Sequence, residues 1–265
     1  MFPPAKLNDL ALKFRALHEP GNPLVVTNVY DAATAGIVCS IPTVKAVATA
    51  SYAIAAVQGV EDNDMTKAQN LAAIQTIARV VVGTGAQPNP IPMTADMQDG
   101  YDDVADSIRQ LLALGVVGCN IEDVDNTTGK LRSLEEATAR IRLAVETAKE
   151  MDVPAFAVNA RTDVLAYEGG TIEEAIARGK AFLAAGANTV FVWGGPRGRG
   201  LSSAEVRQLV QALDGRLNVI MKQGEGFLKV PEIRQLGVAR ISMGPGLFFA
   251  AMNAYRTAAE AVLSL

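Results

Sequence analysis

The chain has 265 residues, of which 49% are hydrophobic and 20% charged, and its formal net charge is −4 at pH 7. The composition is typical of a globular protein, and the length suits a single α/β barrel of about 250 residues. Since no Lys/Arg cluster is present, we expect neither nucleic acid nor an anionic membrane as partner. No signal-peptide core and no apolar run of roughly 18 residues is found, so a cytoplasmic protein is expected.

The first 20 or so residues predict an amphipathic helical segment that precedes the repeating part of the chain. His18, the only histidine, lies near its end, where a cation would stabilise the helix C-terminus. Capping is therefore expected rather than catalysis. The two cysteines, Cys39 and Cys119, are expected to be buried free thiols. Catalysis by a Ser-His-Asp triad or by a histidine-rich metal site is disfavoured.

Short β-branched runs then alternate with longer runs of helical apolar spacing. Eight of the short runs predict strands: LVVTNVY (24–30), KAVATAS (45–51), IPMTADM (91–97), VVGCNIED (116–123), AFAVNART (155–162), TVFVWG (189–194), LNVIMK (217–222) and ARISMG (239–244). Helices are predicted between them, among others at 65–81, 133–151 and 171–186. Capping signals support the last two, with Glu three residues after Ser133 and after Thr171.

Apolar strands separated by helices indicate parallel pairing with both sheet faces covered. Eight such units without a linker predict one (β/α)₈ TIM barrel domain of the α/β class over residues 1–265. A doubly wound open sheet is the alternative architecture. That fold usually has a glycine-rich phosphate loop after its first strand, and here NVYDAAT stands in that place.

Polar residues are concentrated at the ends of the first five predicted strands. Because strand side chains alternate, the i, i+2 pairs should face one space: Asp96 with Gln98, Asn120 with Glu122, and Asn159 with Arg161. Carboxylate and amide oxygens suit Mg²⁺, and an arginine suits a substrate carboxylate. The alternative is a structural ion-pair network of Asp96, Glu122 and Arg161 at the barrel rim.

Two further stretches have simpler interpretations. GGPRGRG (194–200) does not match a phosphate-loop spacing, so it predicts a surface loop. Lys222 and Glu225, in MKQGEGF, could reach the barrel mouth, but a structural role is favoured for both.

Several motifs resemble those of the isocitrate lyase/phosphoenolpyruvate mutase superfamily, in order and at comparable spacing. They are NVYDAATA, ATASYAIAAVQGVED, TADMQDGYDD, GVVGCNIEDVDN, VNARTDV and GVARISMGPGLF, and the resemblance covers residues from about 20 to 250. It implies a barrel whose eighth helix is exchanged between subunits of a homotetramer or homodimer. It also implies Mg²⁺, with Mn²⁺ as an alternative, and small carboxylate substrates in which C–C or P–C bonds are made or broken.

The resemblance also implies roles for single residues. Asp96 would bind the metal directly, and Gln98 and Glu122 would contact it through water. Asp62 would line the site, Ser51 and Tyr52 would hold a substrate carboxylate through their backbone amides, and Arg161 would bind the substrate. Catalytic roles are thus expected for Arg161, Asp62 and Tyr52, and substrate contacts for Tyr30, Ser51, Tyr52, Asn120 and Arg161.

The chain departs from the family pattern at two places. Family lyases have a Lys-Lys-Cys-Gly-His loop after the fourth strand, and the stretch EDVDNTTGKLRSLEE has neither Cys nor His. The mutase-type loop is also missing. In addition, Gln98 stands where the family usually has Asp or Glu.

We therefore expect a Mg²⁺-dependent lyase or decarboxylase that cleaves a C–C bond of a small 2-oxo or 2-hydroxy (di)carboxylic acid through an enolate. One alternative is a phosphonate P–C mutase or hydrolase. Another is a family member without catalytic activity that binds a carboxylate ligand.

Overall fold

The computed structural model describes residues 2–83, 90–195, 199–222 and 227–264. Its strands are β1 (Leu24–Val29), β2 (Val47–Thr49), β3 (Met93–Asp96), β4 (Gly118–Glu122), β5 (Val124–Asp125), β6 (Lys130–Leu131), β7 (Ala157–Thr162), β8 (Thr189–Val192), β9 (Leu217–Ile220) and β10 (Arg240–Ser242). Eight of them pair in parallel and close into a barrel in the order β1-β10-β9-β8-β7-β4-β3-β2. The predicted barrel is confirmed, and all eight predicted strands are present with shorter ends.

Helices follow the barrel strands and cover the outside of the sheet. They are α1 (Pro4–Ala16), α2 (Ala32–Cys39), α3 (Ser51–Gln58), α4 (Lys67–Val81), α5 (Val104–Ala113), α6 (Leu134–Glu150), α7 (Ile172–Ala184), α8 (Ser203–Ala212), α9 (Val230–Gln235) and α10 (Gly246–Leu263), with short 3₁₀ turns at Asp62–Asp64 and Val164–Ala166. The antiparallel pair β5 and β6, which follows β4, was not predicted.

The predicted capping signals determine where two of these helices begin. Ser133 and Glu136 form a reciprocal capping box at the start of α6. The Thr171 hydroxyl accepts a hydrogen bond from the Glu174 backbone N–H at the start of α7. Each cap satisfies a backbone donor that the first helical turn leaves without a partner.

Helix α1 closes the end of the barrel opposite to the strand C-termini. Its Phe14 is fully buried, and a Cβ atom on Gly118 would lie 2.8 Å from the Phe14 ring and 2.7 Å from the Ala157 carbonyl oxygen. Only glycine at position 118 therefore lets this ring pack against β4. The Phe14 ring therefore fills the interior of this barrel end.

His18 contacts the end of α1, as predicted, but as a neutral ring. Its Nδ1 lies 2.9 Å from the Phe14 carbonyl oxygen, and the two rings pack edge to face at 4.7 Å between centroids. Burial lowers the pKa of His18 to about 3, and the positive charges of Arg240 and Arg15 act in the same direction. The expected cation at the helix C-terminus is thus wrong, because burial disfavours the protonated ring and the charges of Arg240 and Arg15 add to this effect.

The remaining expectations concern the thiols and the membrane. Cys119 is buried and Cys39 is partly exposed, and both are free. Within the described ranges, no helix combines the length and the apolar character that crossing a membrane requires.

We predict that His18 makes the fold sensitive to acid. Between the ordinary histidine pKa of about 6.5 and the folded value of about 3, the unfolded chain binds a proton that the folded chain does not. The free energy of unfolding should therefore decrease as the pH is lowered through this window, by at most about 1.4 kcal/mol per pH unit. The His18→Asn variant keeps a donor for the Phe14 carbonyl. Its free energy of unfolding, measured with urea, should decrease less between pH 7 and pH 5 than that of the native protein. Parallel pH profiles for the two proteins would contradict this prediction.

Candidate active site

A polar cavity of about 160 Å³ lies at the C-terminal ends of the barrel strands. Several barrel strands and the segments after them contribute to it, and its lining includes Asn28, Ser51, Tyr52, Asp62, Asp96, Asn120, Arg161, Phe191, Trp193 and Ser242. This is the end at which catalytic groups gather in (β/α)₈ barrels. The structure thus brings together six of the residues expected at the site: Ser51, Tyr52, Asp62, Asp96, Asn120 and Arg161.

Asp96 is a carboxylate of the cavity whose side chain and backbone contact several neighbouring elements. Its Oδ2 accepts a hydrogen bond from the Ser51 backbone N–H at 3.2 Å, at the start of α3. Its backbone N–H donates to Thr49 Oγ1 at 2.8 Å, and its carbonyl oxygen accepts from Asn70 Nδ2 at 2.9 Å. Neighbouring elements therefore fix the position from which this carboxylate projects.

The sequence pattern predicted that Gln98 shares a strand face with Asp96. This prediction is wrong. Strand β3 ends at Asp96, and Gln98 has a left-handed backbone with φ of 51°. Its Nε2 donates to the Asp62 carbonyl oxygen at 2.5 Å and to Asp62 Oδ1 at 3.1 Å. Both acceptors require a donor, so an amide fits here and a carboxylate would not. The side chain therefore holds Asp62, and strand alternation does not apply.

Asp62 and Glu122 are carboxylates with raised pKa values. Burial raises the pKa of Asp62, and the charge of Asp96 adds to the effect, while hydrogen bonds from Ser51 and Gln98 act in the opposite direction. Burial also raises the pKa of Glu122, against the attraction of Arg161. Acidic groups that repel one another while buried are a common feature of functional sites.

Arg161 projects into the midst of these carboxylates. Its Nε and Nη2 donate to the two carboxylate oxygens of Asp163 at 2.6 Å each, and its Nη1 lies 2.9 Å from Glu122 Oε2. The guanidinium also lies over the rings of Phe191 and Trp193, at 5.6 and 5.1 Å from the ring centroids. Burial lowers the pKa of Arg161, but the charges of Asp163 and Glu122 outweigh it and raise the pKa well above its usual value.

A chain of amides crosses the barrel below these charges. Asn159 Nδ2 donates to Asn120 Oδ1 at 2.9 Å, and Thr189 Oγ1 donates to Asn159 Oδ1 at 2.7 Å. On the other side, Asn28 Oδ1 accepts from the Met243 and Gly244 backbone N–H groups at 3.0 and 2.9 Å. Asn120 thus lines the cavity in a fixed orientation, as a substrate contact requires.

A second and larger cavity, of about 540 Å³, lies outside the first one. Tyr52, Asp62, Arg161 and Trp193 line both cavities. The outer cavity is further lined by Glu61, Asn63, Glu122, Val124, Asn126, Asp163, Ala166 and Tyr167. Because four residues line both cavities, the two cavities adjoin one another.

Other expected residues lie elsewhere. Tyr30 lines neither cavity, because β1 ends at Val29 and the Tyr30 ring packs edge to face against Phe248 at 5.2 Å between centroids. Lys222 lines a separate cavity near α8 and lies 5.5 Å from the Phe227 ring centroid. Glu225 and residues 196–198 of the GGPRGRG stretch lie outside the described residues.

Sequence reasoning missed the aromatic wall made by Phe191 and Trp193. The signal was present, because Trp193 is the only tryptophan of the chain and stands at the end of a predicted strand. The bidentate contact of Asp163 with Arg161 could not be read from spacing.

The inner cavity offers oxygen donors that suit a metal ion. In the part of the chain that the structure describes, no three Asp, Glu, His or Cys side chains form a ready-made metal site. Mg²⁺ does not require one, since it retains several waters and binds through one or two carboxylates. Asp96 and Asp62 line one cavity, and repulsion between them contributes to the raised pKa of Asp62. A hydrated divalent cation fits this arrangement of hard oxygen donors.

A closed barrel with a polar cavity at the strand C-termini is the arrangement of (β/α)₈-barrel enzymes. The chain belongs to the phosphoenolpyruvate phosphomutase family, whose pattern matches residues 14–263, and thus to the superfamily of lyases and mutases that its motifs indicated. It is similar to 2-methylisocitrate lyase of Shewanella oneidensis, with 29% identity over 196 residues, 68% of this chain and 61% of that protein.

Two solved structures share the whole fold. One is a protein from Burkholderia cenocepacia J2315 described as a phosphonomutase, with a TM-score of 0.82, 32% identity and coverage of 98% of this chain and 100% of that one. The other is 2,3-dimethylmalate lyase, with a TM-score of 0.81, 28% identity and coverage of 96% and 87%. The superfamily assignment made from the motifs is confirmed.

We predict that Gln98→Glu destabilises the fold, because a carboxylate would face the Asp62 carboxylate and carbonyl without a proton to donate. The loss in the free energy of unfolding should be about 2 kcal/mol at pH 7.5 and smaller at pH 5, where a protonated carboxyl can donate. Urea unfolding at the two pH values measures it.

Gln110→Glu is the matched control. Gln110 Nε2 also donates to a carboxylate, Asp106 Oδ2, at 2.6 Å, but on the exposed surface of α5. Its substitution should change stability by no more than about 0.5 kcal/mol. Equal losses for the two variants would show that Gln98 has no special role in holding Asp62.

Proposed function

We propose that the protein is a Mg²⁺-dependent lyase or decarboxylase that cleaves a C–C bond of a small 2-oxo or 2-hydroxy (di)carboxylic acid through an enolate. The observation that carries this proposal is the convergence of Asp62, Asp96 and Arg161 on one polar cavity at the mouth of the barrel. Membership in a superfamily of lyases and mutases supports it.

In this proposal Asp96 is the direct protein ligand of the metal, and Glu122 and Gln98 contact it through water. Gln98 has only its carbonyl oxygen left for this contact, because its amide hydrogens are used by Asp62. Bound Mg²⁺ would supply positive charge beside the oxygen on which negative charge develops as the C–C bond breaks. Mn²⁺ could fill the same role.

The other residues bind the substrate and move the proton. Ser51 and Tyr52 begin α3, whose N-cap residue offers no side-chain cap. The Ser51 backbone N–H is engaged by Asp96, so the Tyr52 backbone N–H would hold a substrate carboxylate. Arg161 and Asn120 would orient the substrate from the opposite side of the cavity. Asp62 would carry the proton, since Gln98 fixes its orientation, and Tyr52 is the alternative donor.

Phosphonate P–C chemistry is the second candidate function. It is favoured by the similarity to the Burkholderia protein described as a phosphonomutase, which covers the whole chain. The same carboxylate and metal site would serve both reactions, so the distinction lies in the bond that is cleaved. A panel that contains both 2-oxo acids and phosphonates separates the two candidates.

We also propose that α10 packs on a second copy of the chain, as the resemblance implies. None of its described residues is buried, and its exposed side chains include Phe249, Met252, Tyr255, Val262 and Leu263. Such an apolar helix surface is costly in water. The first turn of α10 also reaches the site, because Phe249 packs against Tyr52 at 5.4 Å between ring centroids.

Asp96→Ala should abolish the metal-dependent reaction, with a loss of about 100-fold or more, because the direct ligand is removed. Turnover of a panel of 2-oxo and 2-hydroxy acids is measured with Mg²⁺ and with EDTA. Stabilisation of the fold by Mg²⁺ should be lost as well. Asp64→Asn, an exposed acid on the neighbouring 3₁₀ turn, is the control and should keep both properties.

Wild-type turnover by the Asp96→Ala variant would contradict the metal assignment. If the native protein turns over no compound but is stabilised by oxalate and Mg²⁺, it is a carboxylate-binding member of the family without activity.

The α10 proposal predicts a homotetramer or homodimer in solution. Combined substitution of Met252 and Tyr255 by Glu should shift the mass measured by light scattering towards the monomer, since two charges would be buried in the interface. Leu143→Glu places one charge on α6 at a position as exposed as Met252 and should leave the mass unchanged. A monomeric native protein would refute the proposal.

A further inference from the structure

Arg240 is a buried cation in the interior of the barrel. It begins β10 and, because strand side chains alternate, it faces the same side as Ser242, which lines the inner cavity. Its side chain therefore lies inside the barrel, one layer closer to the closed end than the cavity. Its neighbours in the adjacent strands are Leu24 and Asn218. Since Arg240 lines neither the inner nor the outer cavity, it can affect a ligand there without touching it.

This cation has no directly bound counterion in the part of the chain that the structure describes. None of the ion pairs found there includes Arg240, and its Nε is buried without a hydrogen-bond partner. Burial lowers the pKa of His18 and raises the pKa of the Cys119 thiol, so both nearby groups are neutral at pH 7. A buried charge without compensation is costly. The Asp96 carboxylate supplies the opposite charge, and it does so from a distance.

The Asp96 carboxylate does not depend on Arg240 for its position. Its Oδ2 accepts a hydrogen bond from the Ser51 backbone N–H, and Thr49 and Asn70 hold its backbone. Loss of the Arg240 charge should therefore leave this carboxylate in place and change the electrostatic potential around it. A fixed cation repels a metal ion and attracts an anion, so the two kinds of ligand should respond in opposite directions.

We propose that Arg240 is a positioning residue that acts through its charge: it weakens the binding of a divalent cation at Asp96 and strengthens the binding of an anionic ligand in the inner cavity. The inference rests on the proposed function, which places a metal ion and a substrate carboxylate in this cavity. Asp62 and Asp96 bring two negative charges to its lining. The buried guanidinium offsets part of this charge, so that binding of the anionic substrate is favoured at the expense of the metal.

Arg240→Met removes the charge and keeps a long, unbranched side chain. The Kd of Mg²⁺ is measured by isothermal titration calorimetry, and the Kd of oxalate at saturating Mg²⁺ by the fluorescence of Trp193, which lines both cavities. Loss of the cation should lower the Kd of Mg²⁺ about fivefold and raise the Kd of oxalate about fivefold, because the two ligands have opposite charges. Damage to the fold alone would weaken the binding of both ligands.

Three further variants separate charge from packing. Arg240→Lys keeps the positive charge and should leave both constants close to those of the native protein. Arg240→Gln is a second uncharged variant and should reproduce both shifts if Arg240→Met does not fold. Arg15→Met is the matched control, because it removes a partly buried arginine from α1 at the opposite end of the barrel. It should change neither constant.

Any result other than opposite shifts of the two constants in the uncharged variants would overturn the inference, while binding of Mg²⁺ and oxalate by the native protein leaves the proposed function intact. The inference is also overturned if Arg240→Lys or Arg15→Met gives the same shifts. If only Arg240→Lys folds and both uncharged variants do not, the cation serves the fold and the inference is wrong. If the native protein binds neither Mg²⁺ nor oxalate, the proposed function fails, and the inference fails with it.

Discussion

The structure of the site depends on the compensation of buried carboxylates. Asp62, Asp96, Glu122 and Asp163 lie around one guanidinium at the barrel mouth. Removing charges from water is costly unless each finds a partner, and one arginine cannot serve all of them. Asp163 makes the bidentate contact with Arg161, and Glu122 contacts a third donor of the same guanidinium. Asp62 and Asp96 therefore depend on other donors. The amide of Gln98 and the backbone N–H of Ser51 fill that role.

A second buried cation lies deeper in the barrel. Arg240 is fully buried at the start of β10, and its Nε has no hydrogen-bond partner among the described residues. Burial lowers the pKa of Arg240 to about 10, and the charge of Asp96 acts against this shift. The charge of Arg240 is thus coupled to the Asp96 carboxylate, while the buried His18 remains neutral. The charge pattern of the site therefore extends through the barrel to its closed end.

The fold could be predicted from the sequence because it is determined by repeated local signals. β-branched runs, helical spacing and caps such as Ser133 recur along the chain, and each agrees with a parallel barrel. The polar strand ends also placed Asp96, Asn120 and Arg161 correctly, because the C-termini of parallel strands must meet at one end. Gln98 was placed by alternation although β3 ends at Asp96, and Tyr30 was assigned to the site although β1 ends at Val29. Alternation ends with the strand, and a turn with positive φ at Gln98 cannot be read from a period of two.

The sequence could not predict which groups the charged side chains contact. These contacts determine what the site can bind. An arginine at a strand end suggests a binding group for a substrate carboxylate, but that inference assumes that the guanidinium has no other partners. Here Asp163 lies two residues along the chain and occupies two of its donors, and Glu122 from the neighbouring strand occupies a third. Arg161 therefore has fewer donors left for a substrate than its residue type alone suggests. The amide at Gln98 follows the same logic, since its neighbours are acceptors and only a donor satisfies them.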